Sequence, residues 1–308
     1  MRALLGRFGI LILGLIGLAV YWVSNQQEVP FTGRSQFNIL SIPDATRLGA
    51  QGYAQILEQN RGNLLCAGAG TVCDAQTREV VDSVRRIGAR LEAAAIELEA
   101  DLLEQGYAFT PVAERFDWTY HVIDSPQPNA FCLPGGYVAV YTGLLDVTGN
   151  FDGVVSIRDL DDLDKLAVVM GHEIGHALAH HGAERMSQQK LVQMGQMAVG
   201  LGLGDLSMGE RQAVMGALGV AATGGLNAFS RAHETEADRI GLELLARACF
   251  DPREAPELWR RMATLGGGSE PPPWLSTHPA SETRAENFER WMPAALALYE
   301  TGCQPNAP

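Results

Sequence analysis

Residues 171–182 read GHEIGHALAHHG, with histidines at 172, 176, 180 and 181 and Glu173 directly after the first. His172-Glu173-Ile174-Gly175-His176 is an H-E-x-x-H element. On a helix, positions i and i+4 share a face one turn apart, so two imidazoles can reach one zinc ion. Glu173 then projects near the same metal, where it can take a proton from water. Such an element arises by chance in roughly one chain in a hundred of this length, so its surroundings decide. They are favourable. Residues 163–185, LDKLAVVMGHEIGHALAHHGAER, read as one continuous helix with Leu166, Val169 and Met170 on an apolar side. The bland alternative is a set of hydrogen-bonded core histidines. His180 continues the face of His172 and His176 but lies about 6 Å further along, too far for one ion to take all three. His180 and His181 are therefore read as outer or surface groups.

A catalytic zinc needs a third protein ligand and an open position. The spacing H-E-x-x-H-x-x-G-x-x-H would supply a third histidine, but Ala179 and Gly182 occupy the glycine and histidine places, which excludes that class. The best remaining donors lie in SRAHETEADRIG, residues 230–241, again helical in pattern. Glu234 and Asp238 are i and i+4 and share a face. The natural assignment is Glu234 as ligand and Asp238 as acceptor for a ligand histidine's N–H. Glu236 is turned about 200° from Glu234 and is expected across the helix, facing solvent or a surface arginine.

The 308 residues make one large domain or two small ones, with a net charge of −13. An acidic chain without basic stripes is a poor nucleic-acid binder, and none is expected as a partner. Residues 1–30 differ from the rest. Arg2 and Arg7 precede an uncharged apolar run from Phe8 to Val23. The run is short for a membrane span of about 20 residues. It is long for a signal-peptide core of about 7–15. Tyr21 and Trp22 stand where a cleavage site wants small residues. An uncleaved signal anchor is expected rather than a cleaved signal peptide. Either attaches or exports the body, because the arginines stay inside. A buried N-terminal helix is the alternative.

Residues 31–43 are read as a linker, and 44–308 as the folded domain. Residues 44–60 and 75–105 are helical in pattern, the second with Val80, Val84, Ile87 and Leu91 at helical spacing and Gly106 at its end. FDWTYHVIDS (116–125) is a strand pattern, and Pro134-Gly135-Gly136 a turn before the strand YVAVYTG. Residues 191–225 are rich in Met, Gly and Ala and are read as helices of the body. A further helix is read from about Gly225 to Ala248, and another follows the Gly-Pro stretch 266–274. Cys66 and Cys73 bracket a short Gly-rich stretch, and Cys249 and Cys303 both lie in the C-terminal part. Two local disulfides would leave Cys132 odd; five free thiols remain the alternative, since sequence cannot fix connectivity.

With these motifs in place, the sequence resembles the membrane-associated zinc metallopeptidases that include HtpX, the CAAX prenyl proteases and the periplasmic BepA-type proteases. GHEIGHALAHHGAER and FSRAHETEADRIG look like its two metal motifs, and its third ligand matches Glu234. NAFCLPGGYVAVYTGLL (129–145) is similar to the segment before its active-site helix, and WLSTHPASETR (274–284) to its late T-H-P element, Thr277-His278-Pro279. LGAQGYAQIL (48–57) resembles its N-terminal helix. The likeness covers roughly residues 44–298. It departs at Cys132, where a small or apolar residue is expected, and in a longer link into the metal helix. The resemblance implies an α+β, mostly helical, gluzincin-like zincin domain with a small sheet beside the active-site helix. It implies one zinc on His172, His176 and Glu234, with Glu173 as general base. His278 would be an oxyanion donor or a resting-state zinc ligand. Val138, Ala139, Val140 and Tyr141 would hold extended substrate by β-augmentation. The exported, single-anchor branch looks nearest, so the expected place is a bacterial inner membrane facing the periplasm, or the periplasm itself. The expected work is cleavage of misfolded or unassembled envelope proteins. The rival is an envelope chaperone with a structural zinc. Against it stands Glu173, since a structural site closes with four ligands and needs no base.

The acidic insertion, 146–164, has its own reading. TGNFDGVVSIRD (148–159) resembles a calcium loop, with Asn150, Asp152, Ser156 and Asp159 at ligand positions. Thr148 replaces the usual first Asp, and Asp159 the usual bidentate Glu. A solvated acidic loop is the alternative.

Overall fold

The computed structural model describes residues 2–67, 73–148, 160–202, 231–265, 278 and 282–303. The chain opens with helix α1 (Arg2–Ser24), then an antiparallel pair, β1 (Gln26–Glu28) and β2 (Ser35–Phe37). Helix α2 (Ile42–Gln59) starts on Ser41, whose hydroxyl accepts from Asp44 N–H at 3.2 Å. Helix α3 (Ala75–Glu104) starts on Asp74, which accepts from Thr77 N–H at 2.8 Å. Its buried stripe includes Val80, Val84, Ile87, Leu91 and Leu98, the helical period read in the sequence.

A three-stranded sheet follows, from β3 (Thr119–Ile123), β4 (Ala130–Leu133) and β5 (Tyr137–Tyr141). The turn between β4 and β5 needs its glycines: Gly135 and Gly136 have φ of 102° and 86°. The order is β3-β5-β4, with β5 parallel to β3 and antiparallel to β4. This corrects the substrate strand. Val138, Ala139, Val140 and Tyr141 lie in the central strand, where both edges are already hydrogen-bonded and the first three side chains are buried. The outer edge of β3 is bridged through Leu64. Among the described residues, β4 keeps an outer edge with no ladder partner.

The rest is helical: α4 (Thr142–Thr148), α5 (Leu160–Leu178), α6 (His181–Gly202), α7 (231–247), α8 (Glu254–Leu265) and α9 (Glu282–Gly302). Helix α5 packs against β4, α3 and α8, burying Leu166, Met170, Ile174 and Leu178 in the main core. The expected continuous helix through 163–185 is broken. His180 takes φ 56°, its N–H closes a tight turn onto Ala177 O, and its carbonyl accepts the first α6 bond from Glu184 N–H. A left-handed residue cannot propagate a helix, so α6 leaves in a new direction.

Residues 31–43 are not a free linker. They contain β2 with buried Phe37, and Arg34 reaches into the body. Cys66–Cys73 and Cys249–Cys303 form disulfides, the second tying α9 to the end of α7, and Cys132 is a free buried thiol. Helix α1 packs against α6 and exposes Ile12, Leu13, Ile16, Val20 and Val23. Among the described residues no helix is long and apolar enough to cross a membrane. The calcium-loop residues Asn150, Asp152, Ser156 and Asp159 lie outside the described residues, as does most of 191–225.

Helices α5 and α7 approach closely because glycines face the contact. A Cβ on Gly175 would stand 2.9 Å from Ala237 O, and one on Gly241 2.9 Å from His172 N. Gly175→Ala should therefore push the two helices apart. It should destabilise the fold by about 1–3 kcal/mol in denaturant titrations and lower zinc content in the same samples.

Candidate metal centre

His172 and His176 stand one turn apart on α5, Glu234 enters from α7, and His278 from the segment before α9. Their donor atoms all lie within 4.8 Å of one another. His172 Nε2 is 3.1 Å from His176 Nε2 and 3.3 Å from Glu234 Oε2. His176 Nε2 is 3.4 Å from Glu234 Oε1. His278 Nδ1 lies 3.2 Å from His172 Nε2 and 3.0 Å from Glu234 Oε2. Ligands at about 2.0–2.1 Å around a tetrahedral zinc would sit roughly 3.3 Å apart. The donor set, two imidazoles and a carboxylate with a third imidazole, suits that ion. Glu173 is buried and not one of the four donors; its Oε1 is 3.6 Å from His278 Nε2.

The surroundings fix protonation. Asp238 accepts from His172 Nδ1–H at 2.9 Å, so when His172 gives up a proton to bind a metal it is Nε2, toward the other donors, that becomes bare. Arg284 holds Asp238 with two hydrogen bonds of 2.6 Å, and its guanidinium lies 3.3 Å over the Trp259 ring. Burial disfavours charge on Asp238, but Arg284 and His172 outweigh it and keep the carboxyl below its usual range. Burial raises Glu234 as well, yet hydrogen bonds from His172, His176 and His278 hold it far below the usual carboxylate range. Burial would lower His172, but Asp238 and Glu234 hold it up to about 9. Burial lowers His176 to about 4, so it is neutral, as a ligand must be. On β4, burial pushes the Cys132 thiol up and the Glu173 charge adds to this, and the strand packs against α5, the helix that carries Glu173.

The four residues read as metal and base groups on α5 and α7 thus come together, with Asp238 behind His172. Glu236 departs from its reading. It points away from the other donors and does meet an arginine, but it is buried, bonded to Arg34 at 2.6 Å and to His181 at 2.9 Å. Arg284 and Arg34 were missed, while His181, read as an outer or surface group, is buried as an outer group behind His176 at 2.7 Å. Arg284 closes the WLSTHPASETR motif, so its position gave a signal; Arg34 gave none.

Residues 97–292 match Peptidase family M48. The chain is 29% identical to Mitochondrial metalloendopeptidase OMA1 of Saccharomyces cerevisiae over 92% of its own length and 74% of that protein. It is 32% identical to Metalloendopeptidase OMA1, mitochondrial, of Bos taurus over 98% of its own length and 51% of that protein. A shorter match, 33% over 55% of the chain and 33% of the relative, is the Beta-barrel assembly-enhancing protease of Yersinia pestis. The relatives that match over nearly all of this chain, though over only about half to three quarters of their own length, are mitochondrial. That overturns the expected bacterial periplasmic location and the nearness to the bacterial exported branch.

In the metal-free protein His172, held near 9, is protonated at neutral pH, whereas a ligand needs its lone pair. Zinc uptake at pH 7 should release about one proton per chain, and affinity should rise with pH toward that value. Titration calorimetry in buffers of different ionisation enthalpy measures this. Asp238→Asn should weaken zinc by about 10–100-fold, while Glu234→Gln should lose most of it.

Proposed function

The chain belongs to peptidase family M48 and is a metallopeptidase, and from that premise we propose that it is a zinc endopeptidase acting on loosely folded polypeptide segments. The observation that carries the reading is the convergence of His172, His176 and Glu234 beside a buried glutamate that is not needed as a ligand. When bound, zinc would supply Lewis acidity to a peptide carbonyl and acidify water at the site. Glu173 takes a proton from the attacking water as its oxygen bonds the carbonyl carbon. It returns that proton to the amine as the C–N bond breaks. A purely structural zinc site would leave Glu173 without a purpose.

The substrate class follows from the sheet. Main-chain pairing with a free edge requires an extended partner. The edge on offer among the described residues is β4, on a strand packed against the helix that carries Glu173. A stably folded substrate would first have to yield a strand's length of chain. His278 Nδ1 sits among the donors, which favours the resting-state ligand over the oxyanion donor. In that state it fills the position substrate needs and must turn out before cleavage. The exposed apolar side chains of α1 suit contact with lipid, and Phe8 to Val23 at 1.5 Å per residue reach about 24 Å, short of a bilayer core of about 30 Å.

Cleavage of an unfolded test protein should stop with a chelator and return with zinc. Glu173→Gln should lower the rate by at least about 100-fold with zinc still bound, by the usual worth of general base catalysis. Full activity after zinc is shown to be stripped would sink the reading. His278→Ala should raise the rate at matched zinc occupancy. A fall with zinc retained would return His278 to the oxyanion role.

A further inference from the structure

Each ligand imidazole is useful only if its remaining proton sits on the nitrogen turned away from the ion. Asp238, clamped by Arg284, settles this for His172. Nothing in that arrangement settles it for His176.

Behind His176 lies a second buried group, drawn from three separate elements: His181 at the start of α6, Glu236 on α7, and Arg34 in the turn from β1 to β2. His181 Nδ1 is 2.7 Å from His176 Nδ1, and His181 Nε2 is 2.9 Å from Glu236 Oε2. A carboxylate can only accept, so neutral His181 carries its proton on Nε2. Its Nδ1 lone pair then accepts the N–H of His176 Nδ1. That leaves His176 Nε2 bare, on the side of His172 and Glu234. Arg34 secures the far end. Its Nε–H donates to Glu236 at 2.6 Å, while its terminal nitrogens donate to Glu184 at 2.7 and 3.1 Å. Glu184 also takes the N–H of His233 at 2.9 Å, and the His233 ring stacks on His181 at 4.3 Å. His181, Glu236 and Glu184 are all buried.

The two ligand histidines are therefore backed in parallel, one by Asp238 and Arg284, the other by His181, Glu236 and Arg34. Resting on the metallopeptidase reading above, we infer that His181 is a positioning residue that sets the tautomer and ring orientation of His176, with Glu236 and Arg34 fixing its own. The break at His180 is what permits this. On an unbroken helix His181 would sit five residues on, about 140° around from His176. The turn at φ 56° brings it back.

The test compares two amides. In His181→Asn the side-chain oxygen takes the place of imidazole Nδ1 and can still accept from His176. In His181→Gln the amide takes the place of Nε2, keeps Glu236 partnered and leaves nothing opposite His176. Zinc affinity is read by competition with a chromophoric chelator on the full chain, and coordination by the visible spectrum of the cobalt(II)-loaded protein. Melting of the metal-free proteins reports folding. His181→Asn should bind zinc within about threefold of wild type, and His181→Gln about 10–100-fold more weakly with an altered cobalt spectrum. Equal affinity in the two variants, whether both keep the metal or both lose it, would overturn the inference, because packing alone would not separate them. If wild type itself takes up no stoichiometric zinc, it is the metallopeptidase reading that falls.

Discussion

The close crossing of α5 and α7 is the constraint on which the site depends. Each helix alone supplies only part of a ligand set: two imidazoles from one, a carboxylate from the other. They reach a common point because Gly171 and Gly175 face Ala237 and Gly241 with no side chain between the backbones. The sheet, α3 and α8 pack around α5 and hold it there. The Cys249–Cys303 disulfide joins the end of α7 to α9, the helix whose Arg284 supports Asp238. The covalent link and the hydrogen bonds therefore act on the same contact.

Gathering so many titratable groups away from water is costly unless each is paired. Here carboxylates alternate with arginines and imidazoles: Asp238 meets Arg284 and His172, while Glu236 and Glu184 meet Arg34. The pairing also sets a pH range for the metal-free fold. Asp238 and Glu234, held below their usual values, contribute stability that is present above that range and lost on acidification. His176, buried neutral at about 4, adds to the loss below its ordinary 6.5. His172, held up near 9, contributes stability that is full below 6.5 and lost as pH rises through 9. Between those limits the groups act in concert.

Much of this was legible from local periodicity. The i, i+4 spacing of His172 with His176, and of Glu234 with Asp238, needs only helix geometry, so the sequence could pair them. The buried stripe of α3 was legible for the same reason. What escaped has a common physical cause: it depends on where the chain bends or on contacts between distant segments. His181 was read as an outer or surface group, but not as the partner of His176, because nothing in HALAHHG marks His180 as left-handed. Arg34 lies some two hundred positions from Glu236 and was assigned to a linker. Charge alone could not bring it inside.

Strand order shows the same limit with a larger consequence. The sequence identifies the strand patterns 116–125 and 137–143 and the glycine turn before the second, but it did not mark 130–133 as a strand, and period-2 alternation does not say which strand is outermost. The structure places β5 inside because β3 pairs with it from the other side, in parallel, after a connection that runs through β4. A strand paired on both sides has no N–H or C=O left for a substrate, whatever its side chains. Among the described residues the available edge is therefore β4, which packs against α5. In the proposed reading, the docking edge moves one place in the sheet, from the paired central strand to the open side of β4. Among the described residues, that edge offers free main-chain partners on a strand packed against the helix that carries Glu173.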